Sequence, residues 1–194
     1  MNGGDVAAVV LAGGASRRLG RPKQLVRWRG ETLVRRATRA ACESSCRRAI
    51  VVVGAAEDEV RDAVAGLDAE VVRNTGWAEG IASSVRAGVE AAAAGHDAAV
   101  ILLVCDQPML TAAHLDRLVA AWRSGATTVA SRYAETLGVP ALFDRSGFPS
   151  LLALRGDTGA KKVLQAEGCA GVDWADGALD VDTPADLERA ARSS

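Results

Sequence analysis

The length, composition and charge of the chain limit the classes of protein to which it can belong. Its 194 residues, 49% of them hydrophobic, predict a single α/β domain that spans residues 1–194 and encloses a substantial core. The formal net charge of −1 argues against general nucleic-acid binding. The longest apolar run, from Ala98 to Cys105, is too short to span a bilayer. No secretory signal is recognised at the N-terminus, so we expect a cytoplasmic protein.

Strand-like and helix-like segments alternate along the chain. Short apolar runs that end at a turn predict buried strands, and amphipathic stretches between them predict helices. The predicted strands are 6–11, 49–53, 70–72, 98–104, 127–132 and 139–143. The predicted helices are one capped by Thr32, then 57–65, 81–94 and 112–124, short helices up to residue 167, and a closing helix near Thr183-Pro184. This order predicts a mostly parallel, doubly wound (Rossmann-like) sheet that binds ligands at the carboxyl ends of its strands.

The cysteines and histidines form no recognisable metal or nucleophile pattern. No C-x-x-C pair occurs, so we expect no structural zinc site. Because no export signal is recognised, we expect all four thiols to be reduced. Cys42 and Cys46 are spaced by one helical turn, which predicts that they share a helix face. His96 and His114 have no partner pattern and are predicted to be surface residues without a catalytic role.

The segment after the first strand has the composition of a phosphate-binding loop. The apolar run ends at Gly13-Gly14, and Ser16, Arg18, Gly20 and Lys23 follow. Glycines allow backbone N–H groups to approach an anion closely, while arginine supplies a planar fork of donors and lysine a mobile charge. The spacing matches neither G-x-x-x-x-G-K-[ST] nor G-x-G-x-x-G.

The basic residues are concentrated in the N-terminal third of the chain. Between Arg17 and Arg48 there are eleven basic and two acidic residues, an excess that can steer anionic substrates. Within this segment the side chains of Arg35, Arg36 and Arg39 are predicted to form the solvated face of a helix.

The pattern L-A-G-G-x-S-x-R-x-G-x-x-K, from Leu11 to Lys23, resembles the nucleotide-binding loop of the MobA-like nucleotidyltransferases. These enzymes join a nucleoside monophosphate to the molybdenum cofactor or to similar phosphorylated acceptors. The resemblance implies a fold of the nucleotide-diphospho-sugar transferase type and dependence on Mg²⁺, with Mn²⁺ as the alternative. It also implies an NTP and a molybdopterin-type acceptor as substrates, and a molybdoenzyme or its chaperone as protein partner.

Four further segments resemble motifs of this family, in the family's order. Asn74-x-x-Trp77-x-x-Gly80-Ile81-Ala82-Ser83-Ser84 resembles the base-recognition loop, and Asp106-Gln107-Pro108 resembles the metal-binding turn. Arg155-Gly156-Asp157-x-Gly159-Ala160-Lys161 resembles the acceptor-side segment. Asp182, within D-x-D-T-P-x-D-L, occupies the position of a second metal carboxylate.

These matches assign expected roles to individual residues. Arg18, Lys23 and Asp106 are expected to be catalytic, Asp106 and Asp182 to hold the metal, and Asp157 and Lys161 to bind the acceptor. The residues expected to bind the nucleotide are Leu11, Ala12, Gly13, Gly14, Ser16, Arg18, Lys23, Gly80, Ser83 and Ser84.

The motifs give conflicting indications of which nucleobase the protein binds. Within the family, guanylyl enzymes tend to have L-A-G-G and later G-P-L, whereas cytidylyl enzymes tend to have L-A-A-G and later G-L-x-x-S. Residues 11–14 are L-A-G-G and depart from the cytidylyl pattern, and the segment G-I-A-S-S that begins at Gly80 departs from the guanylyl pattern. The metal-binding turn and the acceptor segment resemble the cytidylyl group more, so CTP is favoured and GTP is kept open. Three alternatives remain: transfer to a sugar phosphate or another phosphorylated acceptor, a dinucleotide-binding oxidoreductase, and a non-catalytic nucleotide-binding carrier.

Overall fold

The chain folds as alternating strands and helices. The structure, a computed structural model, describes residues 1–15, 22–164, 168–181 and 186. The strands are β1 (Val6–Ala12), β2 (Arg27–Trp28), β3 (Glu31–Thr32), β4 (Arg48–Val53), β5 (Ala69–Arg73), β6 (Ala99–Val104), β7 (Thr128–Tyr133), β8 (Thr136–Asp144) and β9 (Ala170–Asp173). The α-helices are α1 (Leu33–Cys42), α2 (Glu57–Val64), α3 (Ile81–Ala94), α4 (Ala112–Arg123), α5 (Phe148–Leu152) and α6 (Lys161–Leu164). Short 3₁₀ turns are Lys23–Leu25, Trp77–Glu79, Arg145–Gly147 and Ala175–Ala178.

Seven of the strands form one mostly parallel sheet, as predicted. Their order is β5-β4-β1-β6-β8-β7-β9. β1 pairs in parallel with both β4 and β6, whereas β8 runs antiparallel to both of its neighbours. The chain leaves β1 towards β4 on one side and later returns to β6 on the other. The crevice between the carboxyl ends of β1 and β6 is therefore the topological switch point, where ligands bind in open α/β sheets.

Helices cover both faces of this sheet because the strand residues alternate between two apolar cores. Along β1, residues 6, 8, 10 and 12 face the core that contains α1, α2 and α4, whereas residues 7 and 9 face the core that contains α3, α5 and α6. The strand interior is consequently apolar at every position, which is the pattern of a strand buried on both faces. Among the described residues, no helix has the length and apolar character needed to cross a membrane.

The helix ends follow the expected chemistry. Thr32 caps α1 as predicted, since its side chain accepts a hydrogen bond from the backbone N–H of Arg35 at 3.4 Å. Gly80 precedes α3 with φ of +123°, a conformation that L side chains rarely adopt. The bounds predicted for α3 are those observed, and those of the strands β1, β4, β5 and β6 differ by one or two residues.

Several features differ from the sequence expectations. The two-residue strands β2 and β3 form a small hairpin, and β9 adds an edge to the sheet beside β7; neither was predicted. Cys46 lies beyond the end of α1, so Cys42 and Cys46 do not share a helix. All four cysteines are free, as expected. The predicted closing helix near Thr183-Pro184 lies outside the described residues.

Candidate active site

A cavity of about 470 Å³ lies at the switch point between β1 and β6. Leu11 and Val104 are register partners near the ends of these two strands, so the residues that follow each strand lie side by side. Nine of the predicted site residues line the cavity: Leu11, Ala12, Gly13, Gly14, Lys23, Gly80, Ser84, Asp106 and Asp157. The fold therefore brings most of the expected site into one place.

The glycine-rich turn after β1 is held by hydrogen bonds to its carbonyl groups. The amide of Gln24 donates to the carbonyl oxygens of Ala12, at 3.2 Å, and Gly14, at 3.0 Å. The backbone N–H of Ala55, after β4, donates to the carbonyl of Gly13 at 3.2 Å. Three consecutive peptide groups of the turn are thus fixed in orientation, which is a requirement for a preorganised anion site.

Lys23 and Asp106 form an ion pair inside the cavity. The Nζ atom of Lys23 lies 2.5 Å from Oδ2 of Asp106, with side chains 17% and 25% exposed. The other carboxylate oxygen, Oδ1, is buried and has no hydrogen-bond partner among the described residues. An orphaned carboxylate oxygen is costly to bury, and it is the kind of ligand that Mg²⁺ and Mn²⁺ prefer. This residue therefore fits a divalent cation.

The chain returns to Asp106 immediately before the position of Asp182. The backbone N–H of Val181 donates to the backbone carbonyl of Asp106 at 2.9 Å. Gln107 adds a second link, since its Nε2 lies 3.3 Å from the carbonyl of Gly177. Asp182 itself, like Ser16 and Arg18, lies outside the described residues. Within residues 1–15, 22–164, 168–181 and 186, no group of three His, Cys, Asp or Glu side chains could hold a metal ion.

The predicted base-recognition loop has its own polar network. Nδ2 of Asn74 donates to Oγ of Ser83 at 2.8 Å and to Oγ of Ser84 at 3.0 Å. Ser84 lines the cavity, whereas Ser83 does not and donates instead to the carbonyl of Gly80. A Cβ atom on Gly13 would lie 2.7 Å from Oγ of Ser84. The loop thus packs directly against the turn after β1, and the glycine there is required by this contact.

The two residues predicted to bind the acceptor, Asp157 and Lys161, lie in different places. Asp157 lies in the cavity beside the base loop: a Cβ atom on Gly80 would be 2.5 Å from its Oδ1. Lys161 is exposed at the start of α6 and does not line the cavity. Glu79 holds the turn that carries Asp157, because its carboxylate accepts from the backbone N–H of Gly156 at 3.3 Å and pairs with Arg86. The hydrogen bond from Arg86 also lowers the pKa of Glu79 below its usual value.

Eight residues that line the cavity are not among the predicted site residues, and four of them have polar, aromatic or thiol side chains. These four are Gln24, Trp77, Glu79 and Cys105. Trp77 and Glu79 lie within the segment recognised as the base loop, so their place in that motif was an available signal. Gln24 follows Lys23 directly and offered no pattern of its own. Burial and the neighbouring Asp106 raise the pKa of the Cys105 thiol, which disfavours a reactive thiolate.

The prediction that His114 is a surface residue is wrong. Its side chain is 1% exposed, stacks on Trp174 with ring centroids 4.5 Å apart, and lies 2.7 Å from Oγ of Ser131. Burial, with a smaller contribution from Arg117, lowers the pKa of His114 to about 4. His96, in contrast, is exposed as predicted. His114 lies outside the cavity and serves the packing of α4 on β7.

The arginines of α1 are more than a solvated face. The carboxylate of Glu31 forms ion pairs with Arg35, Arg36 and Arg39, with N···O distances of 3.0–3.9 Å. The guanidinium of Arg36 also stacks on Trp28, 4.4 Å from the ring centroid, and donates to the carbonyl of Pro108 at 2.5 Å. Arg36 thereby ties the β2–β3 hairpin to the turn that contains Asp106.

Comparison with known proteins agrees with this architecture. The chain is 34% identical over 172 residues to nicotine blue oxidoreductase from Paenarthrobacter nicotinovorans, covering 82% of this chain and 81% of that protein. It is 36% identical over 124 residues to a probable molybdenum cofactor guanylyltransferase from Opitutus terrae, covering 64% of this chain and 59% of that protein. The crystal structure of Rv0371c from Mycobacterium tuberculosis in complex with manganese has a TM-score of 0.78 and 28% identity, with coverage of 98% and 100%.

A family model matches the part of the chain that contains most of the predicted motifs and most of the fold. The predicted fold class, an α/β protein built on a mostly parallel sheet with helices on both faces, is confirmed. The model of the MobA-like NTP transferase domain matches residues 8–172, a span that contains most of β1, the base loop, Asp106 and the turn at Asp157. The chain therefore belongs to the MobA-like NTP transferase family and is a nucleotidyltransferase.

Proposed function

We propose that this enzyme transfers CMP from CTP to the phosphate of a molybdopterin-type cofactor and releases pyrophosphate. The observation that carries the proposal is the meeting of the glycine-rich turn, Lys23 and Asp106 in one cavity at the switch point. GTP is the alternative nucleotide, because residues 11–14 have the guanylyl pattern. A sugar phosphate or another phosphorylated molecule is the alternative acceptor.

The chemistry requires positioning and charge neutralisation more than acid–base groups. An oxygen of the acceptor phosphate attacks the α-phosphorus of the NTP and forms a new P–O bond. The bond from that phosphorus to the bridging oxygen of the β-phosphate breaks, and pyrophosphate leaves with the electron pair. Because the attacking phosphate is already anionic, no general base is needed. The described cavity lining accordingly contains no histidine.

The residues of the cavity suit the charges that this reaction develops. The backbone of the turn at residues 12–15 and the Lys23 ammonium would hold the triphosphate and stabilise departing pyrophosphate. Ser16 and Arg18 are proposed to join them from the sequence motif. The base loop, with Gly80 and Ser84 in the cavity and Ser83 behind them, would surround the nucleobase. Asp157, in the cavity, and Lys161, outside it, are proposed for the acceptor.

Asp106 is proposed to hold a divalent cation, with Asp182 as the second carboxylate. The orphaned Oδ1 of Asp106 supports this role, as does the manganese complex of Rv0371c. Mg²⁺ is the proposed ion, with Mn²⁺ as the alternative, and it would supply charge neutralisation at the α-phosphate when bound. The Lys23 ammonium supplies further positive charge beside this carboxylate.

The cellular setting of the reaction is likewise a proposal. The name of the Opitutus terrae relative supports molybdenum cofactor chemistry, and a molybdoenzyme or its chaperone would receive the product. We place the reaction in the cytoplasm, as predicted from the sequence.

Calorimetric titration with CTP, GTP, ATP and UTP tests this proposal, with and without Mg²⁺, on the wild type and on Asp106→Asn. We expect Mg²⁺-dependent binding with a preference for CTP, weakened at least about tenfold in the variant. Preference for GTP would retain the chemistry and overturn the base assignment. Binding of NADH in place of any NTP would contradict the proposal and favour the oxidoreductase activity named for the Paenarthrobacter relative.

A further inference from the structure

Gln24 has a role at the cavity that the family motifs do not assign. Its side chain is 4% exposed and lines the cavity next to Lys23. It belongs to the 3₁₀ turn Lys23–Leu25, whose backbone is closed by hydrogen bonds from Leu25 to Pro22 and from Val26 to Lys23. The side chain is therefore held in place by burial and by a short, internally bonded turn.

The two N–H groups of the Gln24 amide have two carbonyl acceptors. Nε2 donates to the carbonyl of Ala12 at 3.2 Å and to that of Gly14 at 3.0 Å. These residues flank Gly13, whose carbonyl accepts from the backbone N–H of Ala55 at 3.2 Å. Every carbonyl oxygen from residue 12 to residue 14 consequently has a fixed donor.

Fixing these carbonyls also fixes the N–H groups of the turn. A peptide group is planar, and in its trans form the C=O and the following N–H point in opposite directions. Holding the carbonyls of residues 12–14 therefore sets the directions of the N–H groups of residues 13–15. A glycine pair without these bonds could rotate its peptide planes and present carbonyl oxygens, which repel phosphate.

We propose that Gln24 is a positioning residue for polyphosphate binding: its amide orients the turn at residues 12–15 so that the backbone donors face the phosphates of the substrate. This inference rests on the proposed function, because it assumes that the cavity takes a nucleoside triphosphate. Gln24 acts through the backbone and makes no step of the reaction itself. Its contribution grows with the number of phosphates that the ligand carries.

The Gln24→Glu variant tests this role with almost no change in side-chain shape. At neutral pH the carboxylate has no proton to donate, and its charge is placed against two carbonyl oxygens. We expect affinity for CTP with Mg²⁺ and for inorganic pyrophosphate to fall about tenfold or more in calorimetry, with at most about a threefold loss for CMP. Gln24→Met removes the donors without adding charge. It should lose less affinity than Gln24→Glu, again with larger losses for CTP and pyrophosphate than for CMP.

Asn2 supplies a matched control far from the cavity. Its side-chain amide also donates to two backbone carbonyls, those of Trp122 at 2.8 Å and Ala126 at 2.9 Å. Asn2→Asp therefore makes the same chemical change without touching the turn, and it should leave all three affinities unchanged. Thermal denaturation of both variants records any general loss of stability.

The outcomes separate this inference from the proposed function. Wild-type protein that binds no NTP would overturn both. Wild-type binding that Gln24→Glu leaves within about twofold would overturn the positioning role alone. The role would also be wrong if CTP, pyrophosphate and CMP lost affinity equally, or if Asn2→Asp weakened binding as much as Gln24→Glu, since either result indicates general destabilisation.

Discussion

At the scale of single residues, the site depends on a few close contacts between its motifs, two of which leave no space for a side chain at a glycine. Oγ of Ser84 occupies the space that a side chain at Gly13 would need, and Oδ1 of Asp157 does the same at Gly80. Lys23 and Asp106 come from positions 83 residues apart and meet at 2.5 Å. Each of these contacts joins two motifs, so the motifs constrain one another physically.

Gly80→Ala should impair nucleotide binding beyond its effect on stability. Gly80 has φ of +123°, and a Cβ atom there would lie 2.5 Å from Asp157 and from the carbonyl of Gly156. The strained backbone alone costs on the order of 1–3 kcal/mol, and the contact would also displace the turn that carries Asp157. We expect NTP affinity to fall about tenfold or more by calorimetry.

Gly125 provides the control for backbone strain. Its φ is +118°, and nothing lies within 4 Å of the position that a Cβ atom would occupy. Gly125→Ala should lower the free energy of unfolding by a similar strain energy and leave NTP affinity unchanged. Equal affinities of the Gly80→Ala variant and the wild type would show that the contact with Asp157 has no part in binding.

At the scale of elements, α4 is attached to β7 and β8 by a buried polar chain. Arg117 donates to Nδ1 of His114 at 2.9 Å, so Nε2 must carry the proton of the neutral ring and donate to Ser131. Ser131 in turn donates to the carbonyl of Pro140 at 2.7 Å. The chain requires neutral His114 in one tautomer, and the lowered pKa agrees with that requirement.

This arrangement makes folding stability depend on pH. The pKa of His114 is about 4 in the folded protein and about 6.5 in the unfolded chain, so between these values the unfolded chain binds more protons. The stability that neutral His114 contributes is therefore fully present above about pH 6.5 and is lost as the pH falls towards 4, by about 3 kcal/mol in total. Chemical denaturation at a series of pH values measures this slope.

Two variants identify the source of the slope. His114→Gln retains a donor for Ser131 but does not titrate, so the decline between pH 6.5 and 4 should be smaller by about 3 kcal/mol. Exposed His96 supplies the control, since His96→Gln should leave the decline unchanged. An unchanged slope in His114→Gln would contradict the account of the buried chain.

Elements with strong local patterns were predictable, and those defined by distant partners were not. β1 and α3 have continuous apolar runs or helical periodicity between clear breakers, so their bounds follow from sequence. The two-residue strands β2 and β3 are too short for any periodicity. The burial of His114 depends on Ser131 and Trp174, which lie 17 and 60 residues further along the chain. The sequence around His114 gives no indication of these partners.

At the scale of the whole molecule, function follows from the position of the switch point. β1 and β6 are neighbours whose carboxyl ends deliver the glycine-rich turn and Asp106 to one cavity. The motif matches predicted this convergence because each follows a recognisable strand. The structural role of Gln24 and the separation of Lys161 from Asp157 were not predictable, since both depend on how loops return to the cavity.

The most direct test of nucleotidyl transfer is release of pyrophosphate on mixing the enzyme with CTP, Mg²⁺ and a molybdopterin-type acceptor. We predict release that requires the acceptor and falls about 10²–10³-fold in Lys23→Met, as for other preorganised electrostatic contacts. Lys162→Met, at an exposed lysine outside the cavity, should match the wild type. Acceptor-independent release, or equal rates in Lys23→Met and the wild type, would contradict transfer at this cavity.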